Sequence, residues 1–84
     1  LLDSRAMIHL AMGNANLAID DLKVALEEDA SPAKYYHMAQ ARQLAGDQFA
    51  AKTAFRKARA TGFSAAQLHP LEQSRFQELS SKLN

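Results

Sequence analysis

The sequence repeats itself at an offset of 33 residues. Leu2 is matched by Tyr35, Ala6 by Ala39, Gly13 by Gly46, Ala18 by Ala51, Leu22 by Phe55 and Ala25 by Ala58, each pair keeping its size class. A fixed period of this length confines a chain to architectures in which one supersecondary unit stacks on its own copy. Within each copy, apolar and small residues fall at helical spacing on either side of the glycine, so each unit reads as two helices joined by a tight turn. The second copy is the clearer. Ser31 can cap a helix, and Pro32 suits its first turn because the N–H it lacks would be orphaned there anyway. Tyr35, Met38, Ala39 and Arg42 then run down one stripe. Gly46 can take the left-handed conformation that ends a helix, and Asp47 can cap the next. Ala51, Ala54, Phe55 and Ala58 form the second stripe, closed by Gly62. Ala39 and Ala51 leave almost no side chain where two antiparallel helices must approach closely.

Taken in order, Leu1 to Met12 reads as the first helix, with Leu2, Ala6, His9 and Leu10 inward. Gly13 and Asn14 make the turn. Ala15 to Glu28 reads as the second helix, with Leu17, Ala18, Leu22, Ala25 and Leu26 along one face and its acids on the other. Glu27, Glu28 and Asp29 crowd the C-terminus of that helix, where the macrodipole disfavours negative charge, so this end should fray or draw in neighbouring cations. After Gly62 the pattern changes. Residues 63–68 read as a turn, and His69-Pro70 starts a last helix running to about Leu83, with Leu71, Phe76, Leu79 and Leu83 as its stripe. Its many polar positions suit a helix that closes the exposed core of the second unit. Three units are expected: residues 1–31, 32–63 and 64–84.

The order large, small, turn glycine, small, large, small resembles the tetratricopeptide repeat over roughly residues 1–65. Its signature positions match Tyr35, Met38, Ala39, Gly46, Ala51, Phe55 and Ala58, with Leu2, Ala6, Gly13, Ala18, Leu22 and Ala25 in the earlier copy. Three features depart from the family pattern. The period is one residue short, His9 and Arg42 fill a bulky position before the turn, and Arg5 stands where Leu is usual; these should weaken packing within the first helix of each pair. An ankyrin array also has a period of about 33 residues, but nothing here resembles its turn motif. The resemblance implies an all-α fold, a right-handed solenoid of antiparallel helix pairs with about five helices, and no cofactor. It also implies a concave face, lined by the first helix of each pair, that takes up a peptide or protein segment. Carried over residue by residue, that face comprises Asp3, Met7 and Leu10, then Ala33, Tyr36, Gln40, Gln43 and Leu44. Met7, Leu10 and Leu44 also suit packing against neighbouring helices, which is the leading reading for Met7 and Leu10, while Tyr36 and Gln40 fit the partner face and the core equally well. Family members that clamp a chaperone's acidic tail use Lys and Asn where this chain has Asp3 and Met7, then Tyr36 and Gln40, so that ligand is disfavoured.

Composition narrows the function further. With no Cys, disulfides, Cys-based zinc sites and thiol catalysis are excluded together, and the compartment stays open, the cytoplasm favoured over the periplasm. No stretch approaches the length of a membrane span. His9, His37 and His69 stand 28 and 32 residues apart without companion acids at ligand spacing, so no metal site is expected. The serines lack any nucleophile context, Asp20-Asp21 and Glu27-Glu28-Asp29 point to different sides of a helix, and no glycine loop could cradle a phosphate. The chain therefore reads as non-enzymatic. Its net charge of +1 hides a division: Asp20, Asp21, Glu27, Glu28 and Asp29 lie in one stretch, while Lys34, Arg42, Lys52, Arg56, Lys57 and Arg59 follow. The expected arrangement is that consecutive helices face each other with opposite charge, which disfavours a nucleic-acid surface. The runner-up functions are RNA binding, since KARATGFS at residues 57–64 also resembles the end of a pentatricopeptide repeat, and self-association as the cap of a longer solenoid. Because the chain begins inside a repeat, it reads as part of a longer protein.

Overall fold

The computed structural model describes residues 2–61 and 70–83, which form five α-helices and, among the described residues, no strand: α1 (Leu2–Ala11), α2 (Ala15–Glu28), α3 (Pro32–Leu44), α4 (Gln48–Ala60) and α5 (Pro70–Leu83). Leu1, Gly62, the expected turn at 63–68 and His69 lie outside the described residues, as do the side chains of Leu2, Asp3, Leu71 and Leu83.

The two glycine turns are built alike. Gly13 and Gly46 have φ of 81° and 86°. Around the first, Asn14 N–H donates to the His9 carbonyl (2.8 Å) and Gly13 N–H to that of Leu10 (3.0 Å). Around the second, Asp47 N–H donates to the Arg42 carbonyl (3.0 Å) and Gly46 N–H to that of Gln43 (3.1 Å). These are paired Schellman closures, which satisfy carbonyls at a helix end and need a left-handed residue. Each reverses the chain within three residues. Asp47 also caps α4, accepting from Ala50 N–H at 3.1 Å, and Ser31 Oγ accepts from Lys34 N–H at 3.3 Å to open α3. Asn14 makes no side-chain cap.

Helix α1 packs on α2, α3 on α4, and α3 also on α2 and α1; α5 packs on α4. The core repeats with the sequence. Ala6 and Ala39, Ala18 and Ala51, and Ala25 and Ala58 are all enclosed, as are Leu22 and Phe55. The alanines let the helix backbones close up, and the two large residues fill the space between them. Tyr35 is half-buried. Leu17, expected inward, is 51% exposed. It lies roughly 100° around α2 from Ala18, on the shoulder that no other helix covers.

One further expectation is corrected. Asp21, placed on the outer face of α2, is buried, with the Arg5 guanidinium fastened to it by two hydrogen bonds, Nε–Oδ2 at 2.8 Å and Nη2–Oδ1 at 2.6 Å. His9, one turn along α1, brings Nε2 to 3.6 Å from Asp21 Oδ2. Thus Arg5 does not simply weaken the packing of the first pair; it clasps an acid on the facing helix, with the His9 ring alongside. At the matching places of the second pair stand Met38, Arg42 and Ala54, with Met38 and Ala54 both buried. One unit closes with an ion pair where the other uses apolar contact. The Arg5 hydrogen bonds hold the Asp21 carboxyl below its ordinary range and raise the guanidinium further above its own.

The charge expectation is met at one place. The acids at the end of α2 do meet one cation: Lys34 Nζ donates to the carbonyls of Ala25 (3.1 Å) and Asp29 (2.9 Å) and stands 3.9 Å from the Asp29 carboxylate. It serves as a C-terminal cap for α2. Among the described residues no ion pair joins α2 to α4.

Candidate binding cleft

Helix α5 decides which part of the expected partner face is open. Phe76 lies 5.5 Å from the Tyr36 ring and 5.3 Å from the Phe55 ring, both in tilted geometry, and Leu79 is buried beside them. Tyr36, expected to meet a partner, is fully enclosed and belongs to the core. Its hydroxyl accepts from Gln40 Nε2 at 3.3 Å. Ala33 is likewise packed partly against the core, and so is Leu10.

The rest of that face remains accessible as two adjoining hollows. The first, of about 350 Å³, is lined by Met7, Leu10 and Ala11 of α1 with Gln40 and Leu44 of α3. The second, of about 240 Å³, lies between α3 and α5 and is lined by Gln40, Gln43, Leu44, Glu78, Leu79 and Lys82. Gln40 and Leu44 line both, so the hollows lie side by side and together make up the open cleft of this face. Leu44 is 49% exposed at the junction. On the α5 rim, Lys82 pairs with Glu78 at 3.1 Å.

Two atoms in the walls are under-satisfied. The side-chain carbonyl oxygens of Gln40 and Gln43 are enclosed and, among the described residues, have no hydrogen-bond donor. Buried acceptors of this kind are uncommon because the lost hydration goes uncompensated. The cleft therefore combines an apolar lining with two glutamine side chains whose oxygens are enclosed and undonated, and which must turn outward before they can accept from a ligand. Of the residues expected on this face, Met7, Leu10, Gln40, Gln43 and Leu44 come together, Tyr36 does not, and the Asp3 side chain lies outside the described residues. Sequence reading missed the α5 wall of Glu78, Leu79 and Lys82; the available signal was the aromatic Phe76 on a helix expected to cap α3 and α4.

Among the described residues no three His, Asp or Glu side chains gather where they could hold a metal ion, and no helix is long and apolar enough to cross a membrane. Compared with models of protein families, with curated proteins and with solved structures, the chain matches none.

Proposed function

We propose that this chain is a helical-repeat interaction module of tetratricopeptide type: a short right-handed solenoid of antiparallel helix pairs that takes up a segment of a partner protein and catalyses nothing itself. The repeated Schellman turns and the equivalent enclosed alanines support the architecture. The observation that carries the function is the cleft with Gln40 Oε1 and Gln43 Oε1 enclosed and undonated beside exposed Leu44. An unpaired buried acceptor costs about 1–3 kcal/mol, a penalty relieved when the side chain turns outward to an arriving N–H. An extended peptide supplies backbone N–H groups along its length and apolar side chains between them, matching the acceptors and the Met7, Leu10 and Leu44 lining. Phosphate fits less well, since Lys82, the one cation among the described lining residues, is already paired with Glu78.

Selection of a random peptide display library against the chain tests the reading. Peptides that bind the parent and lose about tenfold or more in affinity for Leu44→Glu support the cleft. Leu44 is half-exposed, so that variant should keep its helical spectrum. Binding indifferent to Leu44→Glu, or a library that yields no binder, rejects it.

A further inference from the structure

The outer stripes of α2 and α4 carry opposite charge and exposed apolar residues that no described part of the chain covers. On α2, Leu17 and Val24 are 51% and 44% exposed, and Asp20, Glu27 and Glu28 are exposed around them with the single cation Lys23, leaving the stripe net acidic. On α4, Phe49 is 82% exposed in line with Lys52 and Arg56. The two helices flank a common hollow of about 320 Å³, lined by Leu26 of α2, Tyr35, Met38 and Arg42 of α3, and Phe49, Thr53 and Lys57 of α4. No ion pair crosses between them among the described residues.

We propose that this face docks a second copy of the chain about a twofold axis running between α2 and α4 along their length. Such an axis sets the acidic α2 of each copy on the basic α4 of the other, so one patch meets itself with charge complementarity on both sides. An axis across the helices would set like charge on like and is excluded by the same pattern. The 33-residue offset supplies the register. Phe49 comes level with Asn16 of the second copy and so beside Leu17, Lys52 with Ile19 and so beside Asp20, and Arg56 with Lys23, one turn short of Glu27. The apolar contact gives the pair its affinity and the charges give its orientation. At physiological salt the screening length is about 8 Å, so the neighbouring opposite charges of one molecule blur at long range and act at docking distance. The cleft between α1, α3 and α5 lies elsewhere and stays open in the pair, so this surface does not rest on the peptide reading.

A charge exchange tests the proposal by sedimentation equilibrium. The parent 84-residue chain should form dimers, with a dissociation constant that rises roughly tenfold between 0.1 and 1 M salt, as screening falls from about 10 to 3 Å. Lys52→Glu with Arg56→Glu makes both helices acidic, and Glu27→Lys with Glu28→Lys makes both basic; each variant alone should be monomeric. Mixed in equal amounts, the two should pair, and the chain carrying all four changes should dimerise again. All four positions are exposed, so circular dichroism should show unchanged helix; should either variant lose helix, the salt response of the parent decides. A monomeric parent, a dimer indifferent to salt and to the exchanges, variants that fail to pair when mixed, or assembly beyond the dimer would overturn the proposal.

Discussion

Replacing Tyr36 tests whether α5 closes the core of the second helix pair. The ring is fully enclosed, stacks at a tilt on Phe76 and holds Gln40 Nε2 through its hydroxyl. Truncation to Ala removes an aromatic side chain from a packed site, a loss of about 3–5 kcal/mol. For 84 residues the whole folding stability should be about 4–13 kcal/mol, so Tyr36→Ala should leave the chain marginal or unfolded. Tyr36→Phe isolates the hydroxyl and should cost about 1 kcal/mol, the worth of one partly buried hydrogen bond. The ring contact is separable by a cycle of Tyr36→Leu, Phe76→Leu and the double variant, with an expected coupling of about 0.5–1.5 kcal/mol. Urea unfolding followed by far-ultraviolet circular dichroism reads each value from the midpoint and slope. A loss below 1 kcal/mol for Tyr36→Ala, or zero coupling to Phe76, would refute the enclosure of Tyr36 by α5.

Three further predictions concern the turns and the ion pair. Gly46→Ala should destabilise by about 1–2 kcal/mol in urea melts, because its φ of 86° is left-handed while nothing within 4 Å obstructs a Cβ; Gly46→Asn should cost less. Asp47→Ala should cost about 1 kcal/mol by loss of the cap to Ala50, whereas Asn14→Ala, which removes no side-chain cap, should be nearly neutral. The lowered carboxyl of Asp21 contributes stability that is fully present above the unfolded value of about 4 and is lost as pH falls through the native value. Thermal melts across the acid range should therefore fall more steeply for the parent than for Asp21→Asn, and equal slopes would contradict the clasp.

What could be read from the sequence was whatever a single helix decides for itself. The bounds of α2, the Ser31 and Asp47 caps and the two left-handed glycines all follow from local chemistry, and the structure has each of them. Asp21 was not legible, because its burial depends on an arginine 16 residues away on another helix, and spacing along α2 alone cannot supply a partner. Tyr36 was misplaced for a related reason. Periodicity marks one apolar stripe of α3, the one with Tyr35, Met38 and Ala39, but α3 is covered on a second side by α5, which turns the adjacent tyrosine into core. The cleft was half legible: the α1 and α3 positions follow from the repeat, while the α5 wall depends on where the last helix lands.

The most direct test of the cleft is an amide-shift map of the isotope-labelled chain titrated with a selected peptide. The account predicts the largest shifts at Met7, Leu10, Gln40, Gln43 and Leu44, including the side-chain amide groups of the two glutamines, with smaller ones at Glu78 and Lys82. Shifts confined to the outer stripes of α2 and α4, with the glutamine side chains unmoved, would contradict it.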